Sequence, residues 1–117
     1  MTAMPSRRSP ASRLVAGMLA ASACLAAPAL SADAEAGRAL TGQCVACHGL
    51  DGVARQPMMP NIAGSDPRYL ALQLHAFKSG ERQNPQMNVI ASMLSDEDIE
   101  NLAAWYGSLD VEVAVPE

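Results

Sequence analysis

The sequence predicts a small all-α domain, and three observations carry that prediction. Apolar residues recur at helical spacing, helix start and stop signals bracket those stretches, and β-branched residues are few. The first helix is expected from Asp33 to about Cys47, with Gly37 as a point of close helix contact. Asp51 to Gly64 contains Gly52, Pro57, Pro60 and Gly64, and reads as a loop. The second helix takes Ser65 or Asp66 as N-cap, with Pro67 in its first turn. It buries Leu70, Leu74 and Phe77 at i, i+4 and i+7 and ends near Gly80. The segment holding Pro85, Met87 and Asn88 is expected to be extended. The third helix starts at Ser95, where Asp98 three residues on forms a capping-box pair and Asp96, Glu97 and Asp98 suit the positive end of the helix dipole. Ile99, Leu102, Ala103 and Tyr106 mark its inner face, Gly107 reads as its C-cap, and residues 111–117 as a flexible tail.

The first 32 residues read as a secretory signal peptide. Arg7, Arg8 and Arg13 form a basic start, Leu14 to Ala27 an apolar run, and Ala29 to Ala34 supply small residues for cleavage after Ala32 or Ala34. The run is too short for an ordinary membrane span and stops at Pro28, so no transmembrane segment is expected in the mature chain. The expected compartment is the periplasm. A minor alternative is lipoprotein anchoring at Cys24, although Ala21 stands where a lipobox favours leucine. Removing 32 of 117 residues leaves 85, one small domain over 33–110 plus the tail. Five basic residues then face twelve acidic ones, a formal charge of −7, which argues against nucleic acid and anionic membranes as partners. Aromatic mass is limited to Tyr69, Phe77, Trp105 and Tyr106, so the polypeptide core is thin for independent folding.

Cys44-Val45-Ala46-Cys47-His48 provides what the core lacks. Two thiols and an imidazole at this spacing are the requirement for covalent attachment of a c-type haem. On a helix, Cys44, Cys47 and His48 share one face. Both thiols then reach the porphyrin edge while His48 approaches the iron as proximal ligand, and Gly49 lets the chain turn away. A thiol-redox site or half a zinc site is the competing reading. The first needs a βαβ setting and the second a fourth ligand, and the sequence suggests neither.

The sixth iron position decides between electron transfer and chemistry at an open site. Met58 and Met59 follow His48 too closely to cross the porphyrin easily. Met87 lies 39 residues after His48, between the second and third helices, and is the expected distal ligand, with Met93 as runner-up. Any one of these methionines could instead fill core space. His75 is expected on the exposed side of the second helix, away from Leu70, Leu74 and Phe77.

These stretches, with Pro60-Asn61-Ile62-Ala63-Gly64, Tyr69-Leu70, Gln73-Leu74, Phe77-Lys78-Ser79-Gly80, Leu94-Ser95-Asp96-Glu97-Asp98-Ile99 and Leu102-Ala103-Ala104-Trp105-Tyr106, resemble a small bacterial class I cytochrome c. The similarity is to short periplasmic monohaem cytochromes whose domain also occurs twice in dihaem cytochromes. It implies three main helices around one covalent haem c, with the axial methionine where Met87 falls. It also implies that the Pro60 carbonyl accepts a hydrogen bond from the proximal imidazole and increases its basicity. Gly37 would meet Trp105 and Tyr106 where the first and last helices cross, with Thr41 replacing a commoner aromatic residue. By analogy Arg82 is a propionate partner, against the competing reading of a solvated surface arginine.

The expected function is therefore one-electron transfer, without enzymatic activity, by a monomer that docks transiently with a redox donor and acceptor. The alternative is a cytochrome subunit of a periplasmic dehydrogenase, and a lesser one an open-site haem sensor or enzyme. Lys78 is the only lysine, so a ring of lysines cannot guide docking.

Overall fold

A computed structural model of the chain describes residues 31–117. The expected signal peptide, its basic start and Cys24 fall almost wholly outside the described residues. Among those residues there are five α-helices and no strand. They are α1 (Ala34–Ala39), α2 (Val45–His48), α3 (Pro67–Ser79), α4 (Pro85–Ser92) and α5 (Asp96–Gly107), with a 3-10 turn over Thr41–Gln43 between α1 and α2. Among the described residues no helix is long and apolar enough to cross a membrane.

Local chemistry accounts for most boundaries. Asp33 caps α1 by accepting from the Glu35 and Ala36 amides. Asp66 caps α3 through the Arg68 and Tyr69 amides, Pro67 occupies its first turn, and Gly80 closes it in the left-handed conformation. Ser95 and Asp98 complete the reciprocal capping box of α5.

Two expectations need correction. The stretch from Asp33 to Cys47 is not one helix: α1 stops at Ala39, Leu40 caps it, and the chain tightens into the 3-10 turn before α2. With Gly42 in this stretch, helix propensity is low, and the break redirects the chain toward the thiols. The segment around Met87 is not extended either. Asn84 accepts from the Gln86 and Met87 amides, Pro85 takes the first helical position, and α4 follows. Met87 thus stands in the first turn of a helix.

Helix α5 organises the fold by crossing α1 and packing along α3, which in turn carries α4. At the α1/α5 crossing a Cβ on Gly37 would overlap the Asn101 carbonyl oxygen and lie 3.0 Å from the Leu102 nitrogen. Only glycine permits this approach, and the Asp33 amide reinforces it by donating to Asn101 Oδ1 at 2.7 Å. Gly107 is the last residue of α5 rather than its cap, which is Ser108. Its missing side chain admits Pro67 instead: a Cβ there would sit 2.5 Å from Pro67 Cγ and 2.9 Å from the Ser65 oxygen. The core is Ala71, Ile99 and Ala103 with Leu70, Leu74 and Leu94 packed against it, and Leu102 and Tyr106 are buried beside it. Among the described residues only seven apolar side chains are buried and three of them are alanines (Ala71, Ala91 and Ala103), so the polypeptide alone buries little apolar volume.

Candidate functional site

The residues of the Cys-x-x-Cys-His stretch occupy a single helical turn. Cys44 caps α2, and its carbonyl accepts from the Cys47 amide at 3.2 Å and the His48 amide at 2.9 Å. Both thiols are half-buried and neither is in a disulfide. Burial pushes the Cys44 thiol above its ordinary value, opposed by a hydrogen bond with Tyr106. Tyr106 is pushed up in turn, first by burial and then by Cys44.

His48 is buried, and its Nδ1 lies 2.9 Å from the Pro60 carbonyl oxygen. A carbonyl oxygen can only accept, so Nδ1 carries the proton and Nε2 the lone pair that a metal ligand needs. Two glycines bring these groups together. Gly49, with φ +74°, reverses the chain after His48, and a Cβ there would lie 2.7 Å from the Val53 oxygen. Gly52, with φ +71°, presents its carbonyl to the Ile62 amide at 2.8 Å and the Ala63 amide at 3.2 Å, which draws the segment after Pro60 back against the turn. Helix α5 fixes that turn from outside. The Tyr106 hydroxyl donates to the Gly49 oxygen at 3.0 Å, and Trp105 Nε1 donates to the Leu50 oxygen at 3.2 Å. Periodicity alone places Tyr106 on an apolar face and gives no sign of either bond, because their partners are backbone atoms more than fifty residues away.

The four methionines beyond the leader have different settings. Met58, with φ +66°, is fully exposed on the loop, which is tied to the thiol side by the Arg55 amide on the Cys47 oxygen and by Gln56 Nε2 on the Ala46 oxygen. Met59, half-buried, shares that loop. Met93 caps the far end of α4 and is 58% exposed. Met87, at the other end, is half-buried, with its amide held by Asn84 Oδ1 at 3.0 Å. Arg82 is folded onto α3, its guanidinium 4.6 Å from the Phe77 ring centroid and 2.6 Å from Gln73 Oε1. The expectation that His75 lies exposed on the second helix needs correction. The residue is half-buried between α3 and α5, 3.3 Å from Glu100 and 3.8 Å from Asp96.

The side chains present fit a covalently held haem: two unpaired thiols one helical turn apart, and beside them a buried imidazole whose tautomer is set for metal ligation. Comparison with known proteins gives the same reading. The cytochrome c family model matches residues 34–110. Cytochrome c4 of Pseudomonas aeruginosa is 39% identical over 85 residues, which are 73% of this chain and 42% of that one. Cytochrome c-554(548) of Halomonas halodenitrificans is 43% identical over 79 residues, 65% of this chain and 95% of that one. Among solved structures, reduced recombinant cytochrome c4 from Pseudomonas stutzeri aligns with a TM-score of 0.65 at 37% identity, covering 70% of this chain and 48% of that one. Thiosulfate dehydrogenase from Marichromatium purpuratum aligns at 0.60 with 35% identity, covering 65% and 18%. This chain therefore spans half or less of the length of the cytochromes c4 it matches, and nearly the whole of the c-554(548). The matched region runs from α1 through α5 and includes the thiol–imidazole turn, so this chain belongs to the cytochrome c family and carries covalently bound haem c.

Proposed function

We propose that this chain is a periplasmic one-electron carrier and not an enzyme, with His48 and Met87 as the two axial ligands of its haem iron. The observation that carries the reading is the 2.9 Å contact between His48 Nδ1 and the Pro60 carbonyl, which orients the imidazole and fixes its tautomer. Haem supplies a one-electron Fe(III)/Fe(II) couple. The chain's residues set how that couple behaves. Cys44 and Cys47 fix the macrocycle by two bonds, Pro60 and Gly52 hold the proximal ring, and the Met87 thioether favours the ferrous state, for a positive potential. Half-burial in the first turn of α4 supports Met87, and exposure at the far end argues against Met93. Arg82 is the propionate partner. Its setting supports this: Arg38, Arg55, Arg68 and Lys78 each have a carboxylate within 4 Å, whereas Arg82 has none among the described residues.

Residues 1–32 are the secretory signal peptide, 33–110 the electron-transfer domain and 111–117 a tail. With a mature charge of −7, and with Lys78 already paired to Asp96 at 2.8 Å, the monomer docks transiently on redox partners of neutral or basic surface. Met87→Ala tests the ligand assignment. It is expected to abolish the weak red absorption band that reports methionine sulfur on ferric haem and to lower the reduction potential, while Met93→Ala changes neither. Retention of the band in Met87→Ala would move the ligand elsewhere.

Similarity to a thiosulfate dehydrogenase supports a second reading, a cytochrome subunit held permanently by a dehydrogenase. Size-exclusion chromatography of a native extract separates the two. A free carrier elutes at the mass of one small domain, and a subunit elutes with a partner in fixed ratio.

A further inference from the structure

We propose that Asn88 is a positioning residue that locks the Met87-bearing turn to helix α3 and so holds the sulfur at its working distance. Asn88 bonds to three separate pieces of backbone. Its Oδ1 accepts from the Asn84 amide at 2.7 Å, and its Nδ2 donates to the Phe77 carbonyl at 2.7 Å and to the Arg82 carbonyl at 2.8 Å. The orientation of the amide is determined by these partners. Rotated by half a turn, its oxygen would face two carbonyl oxygens and its NH2 an N–H donor.

A continuous path of hydrogen bonds follows from the core to Met87. Phe77 is buried in the last turns of α3, and its carbonyl accepts only a long 3.3 Å bond from the capping Gly80 amide, which leaves its second lone pair for Asn88. Asn88 takes that carbonyl, holds the Asn84 amide with its other end, and Asn84 Oδ1 holds the Met87 amide at 3.0 Å. The Arg82 bond ties in the loop between the helices, which is already anchored by the Arg82 amide on the Ala76 oxygen at 3.0 Å. A methionine side chain is flexible, so the position of its backbone decides whether the sulfur stays within reach of a fixed iron. Without Asn88 the turn would keep the Asn84 cap and lose its attachment to α3. The population with sulfur withdrawn rises, and an added ligand binds more tightly in proportion to that population.

The inference rests on Met87 as the sixth ligand, and imidazole titration of the ferric holoprotein tests both while telling them apart. Asn88→Leu and Asn88→Asp, which match its size but lack its two donors, are expected to bind imidazole about tenfold or more tightly than the unaltered protein. Haem content and far-UV circular dichroism should be unchanged. In a Met87→Ala background, Asn88→Leu should add nothing further. If Met87→Ala binds imidazole tightly but both Asn88 variants bind like the unaltered protein, the positioning role is wrong and the ligand assignment stands. A lower melting temperature without altered imidazole affinity would equally overturn it, since that is a merely structural effect. If Met87→Ala itself binds like the unaltered protein, the ligand assignment fails and the inference with it. Should the leucine variant not accumulate, Asn88→Ser carries the same comparison.

Discussion

A methyl group added at Gly37 would overlap the Asn101 carbonyl oxygen, 2.5 Å from the carbonyl carbon and 3.0 Å from the Leu102 nitrogen. These are backbone atoms of α5 and cannot rotate aside as a side chain would. Relief requires α1 and α5 to separate, which also stretches the 2.7 Å bond between the Asp33 amide and Asn101. Overpacking of this kind costs about 1–3 kcal/mol, and loss of the bond adds about 1 kcal/mol. Alanine's better helix propensity returns roughly 1 kcal/mol. The net cost of Gly37→Ala is then about 1–3 kcal/mol, equivalent to roughly 4–24 °C in the melting temperature of a domain this size. Thermal unfolding of the holoprotein, followed by far-UV circular dichroism, measures it. Gly42→Ala is the internal control, because nothing lies within 4 Å of the position its Cβ would take. That variant should match the parent or gain up to about 1 kcal/mol. A Gly37→Ala protein that melts with the Gly42→Ala protein would refute the crossing geometry and the reason for glycine there.

Three further outcomes are expected. Tyr106→Phe removes the donor that meets the Gly49 oxygen at 3.0 Å and should cost about 1–3 kcal/mol in urea unfolding; a loss near zero would show that the clamp on the proximal turn is unimportant. Ser95→Ala breaks the capping box of α5 and should cost about 1 kcal/mol, whereas Ser92→Ala, outside any cap, should cost much less. Backbone amides at Asp51, Asp66 and Asp98, and Lys78 at Asp96, hold these carboxyls below their ordinary value of 3.8. Each therefore adds stability that is complete above that value and is lost as the pH falls through the folded-state value. Helical structure in the holoprotein should persist down to about pH 4, and its loss above about pH 5 would contradict this.

Helices α3 and α5 were legible because their boundaries are written locally: Asp66-Pro67 and Gly80 for one, Ser95 with Asp98 for the other. Helix α4 was hidden because Pro85 reads equally as a breaker and as a first helical residue, and only the cap by Asn84 decides between them. The single first helix failed because Gly42 lowers helix propensity without marking where the helix stops, and α1 ends at Ala39 before the 3-10 turn. Within the site, the thiols and imidazole are adjacent in sequence and could be read directly. The Pro60 partner of His48 came only from family resemblance, since a bond across twelve residues of loop leaves no periodic trace. Tyr106, Trp105 and Asn88 act by hydrogen bonds to distant or irregular backbone, which composition does not encode. His75 looked solvent-facing because it lies off the apolar stripe, yet that side of α3 meets the acidic start of α5.

The most direct test of electron transfer through a haem closed on both faces is the absorption spectrum of the purified holoprotein, oxidised and then reduced, before and after carbon monoxide. The account predicts sharp α and β bands on reduction, the weak methionine band on oxidation, and no spectral change with carbon monoxide. Ready carbon monoxide binding together with absence of the methionine band would mean that the sixth position is open, and would contradict the assignment of a dedicated electron carrier.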